Sequence, residues 1–153
     1  MSKFIHLQNH TDFSLLDAIT TTNELVKSAL DFEQPGVAIT DNGVLYGAFN
    51  FQELANRSGI KPIIGVDAYI APDSRFEKST NKQRYHRLVL LAKHRDGYKN
   101  LITLCSRAFV EGFYYKPRID LELIKEYSDG LICLSGSRGS EIARSIVNSN
   151  MQD

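Results

Sequence analysis

His6, Gln8 and His10 recur at spacing two, so a strand running that far would set all three on one face, and Asp17 follows in the next loop. Polar groups recur at the ends of later apolar runs. Thr40-Asp41-Asn42-Gly43 follows Val37-Ala38-Ile39, Asp67 sits inside the run from Ile63 to Ile70, and His86-Arg87 precedes the run from Leu88 to Ala92. Ser135-Gly136-Ser137-Arg138-Gly139 follows Leu131 to Leu134. Polar groups gathered at successive strand ends in this way look like a functional site. Each also has an ordinary explanation. Asp41-Asn42-Gly43 is a good turn, Ser135 or Ser137 could cap a helix, and exposed His86 and His94 need no role.

These residues must be positioned by the apolar segments around them. Phe4 to Leu7 opens a short extended run, and Thr21-Thr22-Asn23-Glu24 is a Thr-x-x-Glu capping box for a helix through about Leu30. Gly36 to Thr40 reads as a second strand, Leu45 to Arg57 as a helix ending at Gly59, and Pro62 to Ile70 as a third strand. The polar stretch from Pro72 to Gln83 is a loop. Leu88 to Ala92 is a fourth strand, followed by a helix from about Tyr98 to Val110 capped by Asp96. A short helix from Leu121 to Tyr127, capped by Asp120, precedes a fifth strand, Leu131 to Leu134, and a last helix around Ser140 to Val147. Near-continuous apolar strands separated by helices predict an α/β fold with a parallel sheet, whose chemistry gathers beyond the carboxyl ends of strands.

The 153 residues suit one domain but fall short of the roughly 250 of a typical (β/α) barrel, so five strands could be an open sheet or the first part of a barrel. Eighteen Lys plus Arg balance eighteen Asp plus Glu, and without a positive field the chain is not expected to hold nucleic acid by itself. No run of eighteen apolar residues occurs and MSKFIHLQNH has no apolar signal core, so the expectation is a cytoplasmic protein without membrane contact. Cys105 and Cys133 lie in apolar segments far from each other, which predicts buried thiols rather than zinc ligands or a disulfide. The basic runs from Lys78 to Arg84 and Lys93-His94-Arg95 read as solvated loops, though either could touch DNA or a partner.

Longer strings carry a resemblance. His6-Leu7-Gln8-Asn9-His10-Thr11-Asp12-Phe13-Ser14-Leu15-Leu16-Asp17, Ala38-Ile39-Thr40-Asp41-Asn42-Gly43 and Gly59-Ile60-Lys61-Pro62-Ile63-Ile64-Gly65 resemble the amino-terminal PHP (polymerase and histidinol phosphatase) domain of bacterial replicative DNA polymerase III alpha subunits. Gly97-Tyr98-Lys99-Asn100-Leu101, Pro117-Arg118-Ile119-Asp120 and Gly130 to Gly136 continue it in family order, over essentially the whole chain. The resemblance implies a distorted (β/α) barrel, here only its first part with about five parallel strands and flanking helices. Residues 1–153 would then be a single, incomplete PHP domain lacking the polymerase core.

In active members the strand ends hold zinc, manganese or iron for phosphoesterase or 3′–5′ exonuclease chemistry. Carried onto this sequence, the His-x-His pair falls on Gln8 and His10, the loop carboxylate on Asp17, and the His of Thr-Asp-His-Gly on Asn42. The Glu falls on Asp67, the His before the fourth strand on Arg87 with His86 beside it, and the Cys after Leu-Ser-Gly on Ser137. His10 and Asp17 retain the ligand type and Asp67 is a shortened carboxylate. Gln8, Asn42, Arg87 and Ser137 do not ligate comparably, because carboxamides and a hydroxyl are poor substitutes and a guanidinium repels metal. A degraded site is therefore expected, with Arg87 supplying positive charge to some of Asp17, Asp41 and Asp67.

The function implied is a scaffold and docking module of a DNA-directed DNA polymerase, a nucleotidyltransferase of DNA replication. Its partners would be other replicase segments or subunits, in some members a separate proofreading exonuclease. DNA and the polymerase's magnesium would be met only through the full subunit. The rival is a metal-dependent phosphoesterase or 3′–5′ exonuclease using His6, His10, Asp17, Asp41 and Asp67. An incomplete barrel would expose apolar edges, so the chain alone is expected to be marginally stable or to self-associate.

Overall fold

The computed structural model describes residues 4–78, 85–136 and 140–148. Helix α1 (Thr22–Asp31) starts at the expected capping box. Thr21 Oγ1 accepts from Glu24 N at 3.2 Å, and Thr21 N donates back to Glu24 Oε2 at 2.8 Å. Strand β1 (Gly36–Ile39), helix α2 (Ala48–Arg57) and strand β2 (Lys61–Ile70) follow, then β3 (His86–Ala92), α3 (Arg95–Val110) and β4 (Arg118–Ile119). Helix α4 (Leu121–Glu126), strand β5 (Leu131–Leu134) and helix α5 (Glu141–Asn148) complete the order. Asp120 caps α4 by accepting from Leu123 N at 3.0 Å, as expected. His94, not Asp96, takes the cap position of α3, and Asp96 pairs with Lys99 in the first turn. Ser140 caps α5 through Ala143 N.

The sheet runs β1-β2-β3-β5, with β4 also paired to β2. It is mixed rather than all parallel. β1 and β4 lie parallel to β2, whereas β3 is antiparallel to both β2 and β5. The physical reason lies in the 71–85 connection, which carries no helix among its described residues, and without a crossover the chain returns in the opposite sense. β4, only two residues long, gave too short an apolar run to be expected.

The anticipated strand from Phe4 to Leu7 is extended chain laid along β1 but not a regular strand. Ala38 N donates to His6 O and Thr40 N to Asn9 O, so three residues on one side span two on the other. The extra residue behaves as a bulge, and the Asn9 side chain fills the broken ladder by donating to Ala38 O at 3.0 Å.

Side chains alternate between two faces. Val37 and Ile39 pack with α1 and α2, while Val66, Ala68, Ile70 and Leu90 pack against Leu101, Leu104 and Leu123 of α3 and α4. The opposite, open face carries Ala38, Ile63, Val89, Leu91 and Leu134, and beyond them Asp67 and Arg87. Burial pushes the Cys105 thiol up to about 12, but Cys133 is exposed, contrary to expectation, because no described strand covers the outer edge of β5.

Helix α3 is seated by Gly97, where an added Cβ would stand 2.0 Å from Gly130 O, the carbonyl that also accepts from Lys93 N. Gly97→Ala is expected to lower the urea unfolding free energy by about 2 kcal/mol or more, since backbone has to move. An unchanged midpoint would refute this seating.

Candidate functional site

Asp67 lies on the open face of β2 and is only 1% exposed. A carboxylate so placed must be compensated by hydrogen bonds and charge. Arg87 reaches it from β3. In register it faces Tyr69, one diagonal step from Asp67, and its Nε donates to Oδ1 at 2.9 Å while Nη2 lies 2.7 Å from Oδ2. The N-terminal segment supplies two more donors to Oδ2, Gln8 Nε2 at 3.0 Å and His10 Nε2 at 3.1 Å. Since a carboxylate only accepts, His10 holds its proton on Nε2.

β1 enters through its continuation. Asn42 forms a single parallel bridge to Asp67, and Asp67 N donates to Asp41 O while Gly43 N donates to Asp67 O. The Asn42 carboxamide links the centre to its rim, with its oxygen accepting from Arg87 Nη2 and its Nδ2 donating to Asp17 Oδ2 at 2.7 Å. Gly43 has a φ of +69°, and a Cβ there would meet the Tyr69 ring at 3.1 Å. That buried ring lies under the Arg87 guanidinium, 4.9 Å from Cζ, and has Lys116 Nζ at 5.5 Å.

Burial pushes the Asp67 carboxyl upward, but the hydrogen bonds from His10 and Arg87, the Arg87 charge and the Gln8 bond outweigh it and hold the group at about 2. Burial likewise works against the Arg87 charge, and its bond and attraction to Asp67 raise its pKa above the usual arginine value.

Gln8, His10, Asp17, Asn42, Asp67 and Arg87 are thus brought together. Three other candidates are not. His6 stacks edge-on against Phe4 and lines a groove with Leu25 and Ser28 of α1 and Phe32 just past its end, because the extra residue before Asn9 turns it away from Gln8 and His10. Asp41 does not meet Arg87. It is a separate buried hub accepting from Thr11 N at 2.6 Å, Thr11 Oγ1 at 2.8 Å and Ser14 Oγ at 2.7 Å. His86, next to Arg87 on β3, falls on the helix-bearing face opposite Ile70. Ser137 lies outside the described residues. Sequence reasoning missed Thr11 and Ser14, whose hydroxyls look like ordinary loop residues, and Tyr69, which its period-two spacing from Asp67 could have revealed.

A family model described as the PHP domain matches residues 6–153, and the chain belongs to that family. Its relatives are more particular. It is 47% identical over 154 residues to DNA polymerase III subunit alpha of Thermus aquaticus, covering 97% of this chain and 13% of that protein. It is 46% identical over 148 residues to the Chlamydia pneumoniae subunit, covering 95% of this chain and 12% of that protein. The Treponema pallidum subunit is 45% identical over 141 residues, covering 91% and 12% respectively. The chain therefore spans about an eighth of the length of these relatives. A solved amidohydrolase from Chromobacterium violaceum matches at 20% identity and a TM-score of 0.46, over 67% of this chain and 34% of that one.

Removing the Arg87 charge leaves Asp67 buried against the Gln8 and His10 side chains without its guanidinium partner. Arg87→Met should cost about 2–4 kcal/mol in chemical denaturation, and adding Asp67→Asn should recover part of it. A melting temperature unchanged within about 1 °C in the single variant would rule out the pairing. Because the Asp67 pKa is lowered from 3.8 to about 2, its contribution is complete above pH 4 and disappears as pH falls through 2. Stability should fall across that window more in the parent chain than in Asp67→Asn, and equal falls would exclude this role.

Proposed function

We propose that this chain is the amino-terminal PHP portion of a replicative DNA polymerase III alpha subunit, in which an arginine–carboxylate lock has replaced the metal centre. It serves DNA replication as scaffold and docking module rather than as a phosphoesterase. The observation that carries this reading is the saturation of Asp67. Four donor contacts, from Arg87 Nε and Nη2, Gln8 Nε2 and His10 Nε2, converge on its two oxygens.

A divalent cation needs converging acceptors, and here the centre is filled by donors and one permanent positive charge. Asp17, the other retained carboxylate, is engaged by Asn42 Nδ2. Among the described residues no three His, Cys, Asp or Glu side chains are grouped closely enough to share an ion. This donor set does not fit zinc, manganese or iron. The phosphoesterase reading would also need His6 and Asp41, and the first faces α1 while the second is consumed by Thr11 and Ser14.

Identity of 41–47% to alpha subunits over most of the chain supports the replicase assignment. The polymerising chemistry, with its magnesium and its grip on DNA, would belong to the remaining length of such a subunit. Partners would be those other segments, companion subunits and a proofreading exonuclease, in the bacterial cytoplasm. No helix among the described residues is long and apolar enough to cross a membrane.

The test is plasma mass spectrometry for zinc, manganese and iron on the purified chain, with a single-strand nuclease assay on the same sample. Less than about 0.1 ion per chain and no cleavage are expected. About two tightly held ions, with cleavage abolished by a chelator, would overturn the reading.

A further inference from the structure

Helix α3 carries more apolar surface than its core position requires. Gly97, Leu101, Leu104 and Ala108 face the sheet, and one residue on around the helix runs a second stripe, with Tyr98 and Cys105 half-buried and Ile102 and Phe109 exposed. Its spacing of four, three and four residues makes a continuous ridge roughly 16 Å long. Ile102 is 43% exposed and Phe109 40%.

Across from this stripe stands Tyr46, 66% exposed, with Val44 and Leu45 beside it. Between the 44–46 loop and α3 runs an apolar trough of about 370 Å³. Tyr98 also borders a second cavity of about 470 Å³ between α2 and the start of α3, lined by Lys93, His94, Arg95 and Gln52 over a floor of Ile64 and Ala92. Among the described residues no carboxylate lines this second cavity, and the nearby Asp96 is paired with Lys99 at 2.9 Å. The two cavities lie on either side of Tyr98, which lines both, and one is apolar while the other is lined by cationic side chains.

We propose that the two cavities together dock a short linear protein segment in which bulky apolar residues one helical turn apart are flanked by an acidic run. The apolar residues lie in the trough between Tyr46 and the outer stripe of α3, and the acidic run lies against Lys93 and Arg95. The argument for this occupant is complementarity. A nucleic acid would use the cationic cavity and leave the apolar trough idle, and a purely apolar partner would leave Lys93 and Arg95 facing nothing. Helix-in-groove binding of this type needs apolar anchors at i and i+3 or i+4, and the length of the stripe accommodates them. The proposal rests on the scaffold reading above by naming its docking surface. It does not depend on the Asp67 lock, which lies on the opposite face of the sheet.

The probe is a fluorescein-labelled peptide of about twelve residues with Leu and Phe four apart followed by three Glu, titrated with the full chain and read by fluorescence anisotropy. Saturable binding with a Kd of about 10–100 μM is expected. Ile102→Glu and Arg95→Glu, both at exposed positions, should each weaken it about tenfold while the circular dichroism spectrum is unchanged. The same peptide with Lys in place of Glu should fail to saturate.

Absence of saturation with the acidic peptide, equal binding of the Lys peptide, or indifference to both variants would overturn the proposal. Competition by an oligothymidine through Arg95 alone would assign the site to nucleic acid instead. A concentration-dependent dimer lost in Ile102→Glu would assign it to a second copy of the chain. Metal content of the same preparation reports separately on the lock, so failure of one reading is distinguishable from failure of the other.

Discussion

The fold is organised around the burial of one carboxylate. Asp67 is enclosed within the part of β2 that pairs with β3, beyond the last β1 pair and bridged to Asn42 on the other edge, and an uncompensated charge there would cost several kcal/mol. Its compensation draws on three separate stretches of chain: residues 8–10, the continuation of β1 at Asn42, and the start of β3 at Arg87. The antiparallel sense of β3 matters here. It places the amino-terminal end of β3 beside the carboxyl-terminal end of β2, so a residue that opens its strand can serve a site at the strand-end side of the sheet.

The same principle is repeated elsewhere with other donors. Asp41 fixes the 11–14 turn through backbone and hydroxyl donors, without any cation. Asp120 caps α4 and also holds buried Arg75 through two bonds to Nη1 and one to the Arg75 backbone, while Glu111 takes Arg75 Nε at 2.6 Å. Arg118 closes this second centre by donating to the carbonyls of Gly112, Arg75 and Glu77. Short acidic side chains at strand and helix ends therefore act as acceptors that gather loops, and each is matched to the donors its own loop provides.

Much of this was legible in the sequence where local physics decides. The capping box at Thr21, the N-cap at Asp120 and the apolar runs of β2, β3 and β5 appeared as expected, because caps and buried periodicity are encoded within a few residues. The sense of β3 was not legible, since an apolar run has no direction of its own. Nor was the separation of His6 from Gln8 and His10, because a bulge depends on which backbone the segment lies against. The pairing of Arg87 with one of Asp17, Asp41 and Asp67 could be anticipated from their types, but not which one, because the partners that engage Asp41, Thr11 and Ser14, carry no charge to betray them.

The donors that Gln8 and His10 bring to Asp67 close loops of 59 and 57 residues, much longer than the 20-residue separation between Asp67 and Arg87. Chain entropy therefore orders the assembly. The β2–β3 pair can carry its own ion pair early, and the amino-terminal strap arrives only when a surface exists to receive it. The strap is held by a few side-chain bonds and an interrupted ladder along β1, so it is also the part that can leave first while the sheet stays intact. Whenever residues 8–10 are displaced, the guanidinium seated on Asp67 keeps that carboxylate from standing alone.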